Sequence, residues 1–223
     1  MSGVFVTGTD TGCGKTEVSL GLMAAMQGRG ISVAAMKPVA SGCEASPNGL
    51  RNDDAMRLQA QANRSAPYEV VNPYAFEPPI APHIAARQAG GKIRVEHIRA
   101  SYRQIAAAAD FVVVEGVGGW AVPLSDETDV ADLALALELP VLLVVGLRLG
   151  CINHGLLTAE SILAHGARFV GWIGNQIDPD MPASTQTIEA LARRIPARCL
   201  GIVPWSESPD PRSIARVLDT DHL

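Results

Sequence analysis

Short apolar runs alternate along this chain with segments whose apolar residues recur at helical spacing. Val4-Phe5-Val6 leads into a glycine-rich turn, and the spacing of Leu20, Met23 and Ala24 then predicts a helix over 17–27. The runs at 31–36, 110–115, 140–146, 169–173 and 199–203 read as further strands, with helices over 52–62, 93–108, 131–139, 153–165, 185–195 and 212–217. Residues 44–52 read as a loop. Residues 63–92 are interrupted by Pro67, Pro73, Pro78, Pro79 and Pro82 and leave room only for a short helix over 83–88. They read as an excursion over the ligand edge, not a separate domain, and 219–223 read as frayed. Strand–helix alternation throughout implies an α/β fold: a single domain over 1–223, with a mostly parallel sheet and helices on both faces.

The first turn carries the strongest chemistry. Gly8-Thr9-Asp10-Thr11-Gly12-Cys13-Gly14-Lys15-Thr16 lies between a strand and a helix, the setting of a phosphate-binding P-loop. Glycines let successive N–H groups point inward, and the helix start adds unpaired N–H groups, so together they cradle an anion. Lys15 brings a mobile positive charge and Thr16 a hydroxyl for magnesium. Thr9 stands where the usual first glycine of the motif would be, with Gly8 one place earlier.

Other candidates also fall at strand ends, the ligand side of such a sheet. Lys37 closes the second strand, either as a ligand-facing group or as a surface lysine with an extended stem. Glu115 ends Phe111-Val112-Val113-Val114, a doubly buried strand of Walker B type that can hold magnesium, and Gly116-Val117-Gly118-Gly119 follow. Asp53 and Asp54 follow Asn52 as helix caps, or reach magnesium. Asn153 suits a helix N-cap, at a helix start that could also take a carboxylate. Asn175 can read a nucleobase edge or stitch a turn. His154 stands beside Asn153 and reads equally well as a plain helix-start residue.

Composition removes whole classes. With 223 residues and 48% apolar content, a sizeable core can form. A net charge of −5 and 4% aromatics argue against nucleic-acid binding. No apolar run reaches the ~20 residues of a membrane span, and the N-terminus lacks the basic start of a signal peptide, which points to the cytoplasm. The four cysteines are far apart, so a zinc cluster is not expected, and Cys13 reads as a spacer inside the loop.

Beyond the P-loop, several stretches make the chain resemble the dethiobiotin synthetase family over nearly its whole length. They are Phe5-Val6-Thr7-Gly8-Thr9-Asp10-Thr11, Lys37-Pro38-Val39-Ala40-Ser41-Gly42, Asn72-Pro73-Tyr74, Pro82-His83, Val114-Glu115-Gly116, Gly118-Gly119-Trp120, Pro123-Leu124, Leu149-Gly150-Cys151-Ile152-Asn153-His154 and Pro204-Trp205. The resemblance implies a P-loop NTPase fold and a homodimer that joins 7,8-diaminononanoate and carbon dioxide with ATP hydrolysis. It makes Lys37 and Lys15 catalytic and assigns magnesium to Thr16, Asp54 and Glu115. It gives nucleotide contacts to Gly12, Cys13, Gly14, Lys15, Thr16, Glu17, Asp54, Glu115, Gly116, Val117, Gly118, Asn175, Gln176, Pro204, Trp205 and Ser206, with Asn175 reading adenine and Pro204, Trp205 and Ser206 beside it. Thr11 and Ser41 would meet the substrate amines or carbamate, and Gly150, Cys151, Ile152 and Asn153 its carboxylate from the second subunit. Gly12 and Cys13 depart from family members that carry an acidic residue and valine there, and 178–187 matches poorly.

Three other readings compete. A partitioning-class switch ATPase usually has a lysine early in the loop, where this chain has Thr9, Asp10 and Thr11. A corrinoid amide ligase usually needs a glutamine-hydrolysing domain, for which the chain has no room. A catalytically dead binding domain sits poorly with Lys15, Thr16, Lys37 and Glu115 all present.

Overall fold

The computed structural model describes residues 2–64, 66–221 and 223. The strands are β1 (Ser2–Gly8), β2 (Val33–Met36), β3 (Val39–Ser41), β4 (Glu44–Ser46), β5 (Gly49–Arg51), β6 (Tyr74–Phe76), β7 (Phe111–Glu115), β8 (Val141–Leu147), β9 (Phe169–Gln176) and β10 (Cys199–Val203). The helices are α1 (Lys15–Gly28), α2 (Asp53–Gln61), α3 (Tyr68–Val71), α4 (Pro82–Gln88), α5 (Val95–Ala106), α6 (Val130–Ala136), α7 (Cys151–Ala164), α8 (Ser184–Arg194) and α9 (Pro211–Ala215).

A six-stranded sheet in the order β10-β9-β8-β1-β7-β2 forms the centre, and each of its pairings is parallel. Alternate side chains of a strand point to opposite faces, and that alternation divides the core. Phe5, Val112, Val114, Leu143 and Val145 pack with α5, α6 and α7 through Ile98, Leu133 and Ile162. Val4, Val6, Val113, Leu142 and Val144 pack with α1, α2 and α9 through Leu22, Leu58 and Ile214. The helix after β1 therefore covers one face while those after β7 and β8 cover the other. Connections that part in opposite directions from neighbouring central strands open a crevice at their carboxyl ends.

Helix starts follow their side chains. Asn52 Oδ1 accepts from the Ala55 N–H at 3.1 Å and starts α2. Asp129 and Asp132 form a reciprocal capping box on α6, and Asp210 caps α9 ahead of Pro211. Ile98 and Ile105 form the buried face of α5, with Tyr102 half-buried beside them.

Four local expectations are corrected. Residues 44–52 are not simply a loop: β4 and β5 pair antiparallel around Pro47-Asn48. The excursion is more ordered than its prolines suggest, because α3 forms and β6 pairs parallel with β3. Gly150, at φ +95°, is the N-cap of α7, which puts Asn153 inside the first turn. Residues 219–221 are pinned: the Asp219 N–H donates to the Leu200 carbonyl at 2.7 Å, Arg29 Nη1 donates to the Thr220 carbonyl at 2.8 Å, and Arg198 pairs with Asp219. Residue 222 lies outside the described residues.

Candidate active site

The phosphate loop joins β1 to α1. Gly14 is the N-cap of α1 at φ +87°, a left-handed conformation that only glycine adopts freely. A Cβ there would stand 1.9 Å from Asn175 Nδ2, which donates to the Cys13 carbonyl at 3.1 Å. Cys13 is buried, its sulfur where a Cβ on Gly8 would fall and its Cβ against Gly146. The thiol is a packing spacer, as the sequence suggests. Lys15 folds back so that Nζ donates to the Asp10 carbonyl at 2.9 Å, and Asp10 forms an ion pair with Arg148 on the loop before α7.

The opposite wall centres on Lys37, which is 4% exposed at the end of β2 and is no surface lysine. Its ammonium donates to Asp54 Oδ2 at 3.1 Å and to Glu115 Oε1, which also accepts from Thr16 Oγ1 at 3.0 Å. Burial opposes the Lys37 charge, but the carboxylates of Glu115 and Asp54 and their hydrogen bonds outweigh it, so the pKa lies above the ordinary lysine value. Burial likewise works against ionised Asp54. The Lys37 charge, with hydrogen bonds from Lys37 and Thr16, prevails and holds that carboxyl below its usual range. Asn52 does the capping of α2, which leaves Asp54 for this cluster. Glu115 is fully buried, and its Oε2 has no hydrogen-bond partner among the described residues. Thr16, Asp54 and Glu115 thus offer a hydroxyl and two carboxylates, the hard oxygen donors a divalent cation prefers.

The two walls enclose a cleft of about 600 Å³. It is lined by Thr11, Gly12, Gly14, Lys15, Thr16, Glu17, Lys37, Ser41, Asp54, Glu115, Val117 and Gly118 among the sequence candidates. Ser41 Oγ is buried without a hydrogen-bond partner among the described residues. Gly116 lies outside the lining, tucked against Phe5. Asn175 is buried behind the loop; Gln176 Oε1 accepts from the Trp205 N–H at 3.3 Å, with Pro204, Trp205 and Ser206 exposed. Gly150, Cys151, Ile152 and Asn153 do not line the cleft of this single chain.

Relatives with this whole arrangement of segments are known. A family model described as an AAA domain matches residues 2–213. The ATP-dependent dethiobiotin synthetase of Pseudomonas aeruginosa (strain LESB58) is 50% identical over 220 residues, covering 98% of this chain and 96% of that protein. The chain belongs to the dethiobiotin synthetase family. A second dethiobiotin synthetase, from Cellvibrio japonicus, is 52% identical over 200 residues, 90% of this chain and 88% of its own. Among solved structures, the MinC:MinD cell division complex of Aquifex aeolicus superposes with a TM-score of 0.58 at 17% identity, covering 98% of this chain and 87% of that one. The signal recognition particle 54 kDa protein of Aeropyrum pernix, in complex with GDP, gives 0.52 at 15%, covering 96% and 44%. At such identities the likeness is one of fold.

In this dethiobiotin synthetase family member, further residues with little signal in the sequence stand at the cleft or behind it. Arg57 lines it and grips Glu17 through two nitrogens, at 2.7 and 2.9 Å. Its one signal is a place one helical turn after Asp53. Tyr68 and Asn72 are buried polar residues behind Lys37. Asn72 lies in a recognisable motif, but nothing in the pattern of Tyr68 sets it apart from a core aromatic.

Proposed function

We propose that residues 1–223 act as one domain that closes 7,8-diaminononanoate and carbon dioxide into dethiobiotin, with ATP hydrolysed to ADP and phosphate. One amine takes up carbon dioxide and releases a proton, giving a carbamate. A carbamate oxygen attacks the γ-phosphorus and ADP leaves, giving a carbamic–phosphoric anhydride. The second amine attacks its carbonyl carbon, phosphate leaves, and the cyclic urea closes.

The observation that carries this reading is Lys37, a buried ammonium bordering the same cleft as the phosphate loop. Phosphoryl transfer asks a protein mainly for positioning and charge. Lys15 and Lys37 offset negative charge on the carbamate and the moving phosphoryl group. Gly12 to Glu17 position the nucleotide, with Val117 and Gly118 close by. Thr11 and Ser41 meet the amines or carbamate, and the unpartnered Ser41 Oγ supports this. Asn175 donates one Nδ2 hydrogen to the loop, which leaves its other Nδ2 hydrogen and Oδ1 for reading adenine. Gln176, Pro204, Trp205 and Ser206 form the adjoining shelf.

Thr16, Asp54 and Glu115 would hold magnesium, and the orphaned Glu115 Oε2 fits that use. When bound, the ion supplies charge neutralisation of the nucleotide phosphates. The reading also includes a homodimer in which Gly150, Cys151, Ile152 and Asn153 of one subunit hold the substrate carboxylate in the cleft of the other. Leu149, 93% exposed just before that helix, and Leu157, 57% exposed midway along it, support an interface there. Sedimentation of the purified chain should give a dimer mass.

The decisive assay is ADP release with Mg-ATP and bicarbonate, with and without 7,8-diaminononanoate, and mass detection of dethiobiotin. Diamine-dependent ADP release with that product is the expected result. Hydrolysis indifferent to the diamine would overturn the reading.

A further inference from the structure

We propose that Tyr68 and Asn72 are positioning residues, which fix Lys37 and Asp54 relative to each other through one shared side-chain bridge. The inference rests on the ligase reading above. The bridge begins at Lys37, whose carbonyl accepts from Asn72 Nδ2 at 2.6 Å and whose N–H donates to the Val71 carbonyl at 2.9 Å. Asn72 Oδ1 accepts from the Tyr68 hydroxyl at 3.0 Å. The same hydroxyl accepts from the Asn52 N–H at 2.8 Å. Asn52 caps α2, in which Asp54 is the second residue, and Asp54 returns to the Lys37 ammonium at 3.1 Å. The path is a closed ring from main chain to side chain and back to the ammonium.

A hydroxyl that must donate one way and accept the other works here only while protonated. Burial pushes the Tyr68 pKa up, so it stays protonated at neutral pH. The ring is 4.1 Å below the Arg51 guanidinium, which holds it by its face and leaves the hydroxyl to the bridge. All three bridge residues are buried: Asn72 3%, Tyr68 8% and Asn52 9% exposed. At buried positions such as these, hydrogen bonds set geometry firmly. Lys37 and Asp54 lie 17 residues apart, on a strand end and a helix start with the β4–β5 hairpin between them. The bridge is what spans that insert. It also accounts for α3, a four-residue helix in a proline-rich segment, which delivers Tyr68 and ends at Asn72.

Tyr68→Phe removes only the hydroxyl. Its kcat for dethiobiotin formation should fall by roughly ten- to a hundredfold, the scale of a small misplacement of reacting groups. ATP affinity titrated without magnesium should not change, because the phosphate loop is on the other wall. Asn72→Asp keeps the acceptor for Tyr68 but takes the donor from the Lys37 carbonyl, and should show the same split. Ile162→Val in α7, which packs on β8 and α8, serves as a stability control: it lowers the thermal midpoint without touching the bridge. A kcat in both bridge variants like that of the control, or a loss of ATP affinity equal to the loss of kcat, would overturn the inference. A parent protein that makes no dethiobiotin would instead overturn the ligase reading itself.

Discussion

The two walls of the cleft are made of different material. On the phosphate-loop side, main chain does the work: Gly14 is in a left-handed turn, glycines at 8 and 146 admit the side chain of Cys13, and the start of α1 lines the cleft. On the Lys37 side, the groups facing the cleft are side chains, held by other side chains from α2, α3 and β7. The first wall fails when a Cβ is added. The second fails when a functional group is removed. A backbone wall can serve any phosphate ligand, whereas a side-chain wall suits one reaction.

Lys37→Ala gives the sharpest contrast. Turnover should fall on the order of a thousandfold, while ATP binding by titration remains, because the loop does not depend on Lys37. Near-normal turnover would remove the distinction between the walls. The same variant leaves Glu115 as an uncompensated buried charge, which costs about 3–5 kcal/mol and should show as a lower thermal midpoint.

Gly14→Ala tests the opposite wall. Forcing a Cβ into that left-handed turn costs about 1–3 kcal/mol, before the clash with Asn175. ATP affinity should weaken by roughly tenfold or more; unchanged affinity would show that the turn is not needed. Asn175→Ala leaves the Cys13 carbonyl buried and unpaired, at a cost of about 1–3 kcal/mol, measurable by denaturant unfolding.

Acid pH should affect the side-chain wall. The fold favours ionised Asp54, whose carboxyl lies below its ordinary range. Its contribution is therefore full above the ordinary carboxylate pKa of about 4 and is lost as pH falls through the lowered value. The thermal midpoints of the parent and Asp54→Asn should differ at neutral pH and converge in acid. A gap that persists in acid would mean that Asp54 acts through packing. The smallest effect is expected far from both walls: Arg29→Ala removes the bond to the Thr220 carbonyl and should cost about 1 kcal/mol with kcat unchanged.

The same division explains what the sequence made legible. A doubly buried parallel strand has to be apolar throughout, so Val112-Val113-Val114 and Leu142-Leu143-Val144 announced themselves, and the residues at their ends marked the ligand edge. Gly-Lys-Thr is a local device and can be read locally. The β4–β5 hairpin was missed because its strands are short and largely exposed, which leaves no apolar alternation to detect. Asn153 looked like a cap, but Gly150 takes the required turn three residues earlier. The pinning of 219–221 depends on Arg29 and Leu200, partners far away in sequence. Tyr68 went unnoticed for the same reason: its role lies in which groups meet its hydroxyl, and residue type does not reveal that.

The contact between α1 and α9 bears on how the protein is made. A Cβ on Gly21, in the middle of α1, would fall 2.2 Å from Ile214 on α9, so the helix behind the phosphate loop is backed by residues nearly two hundred positions later. During synthesis that helix leaves the ribosome long before α9, and it must wait for α9 before that face is covered. A nascent chain halted before α9 therefore carries the whole phosphate motif without the packing that α9 gives its helix.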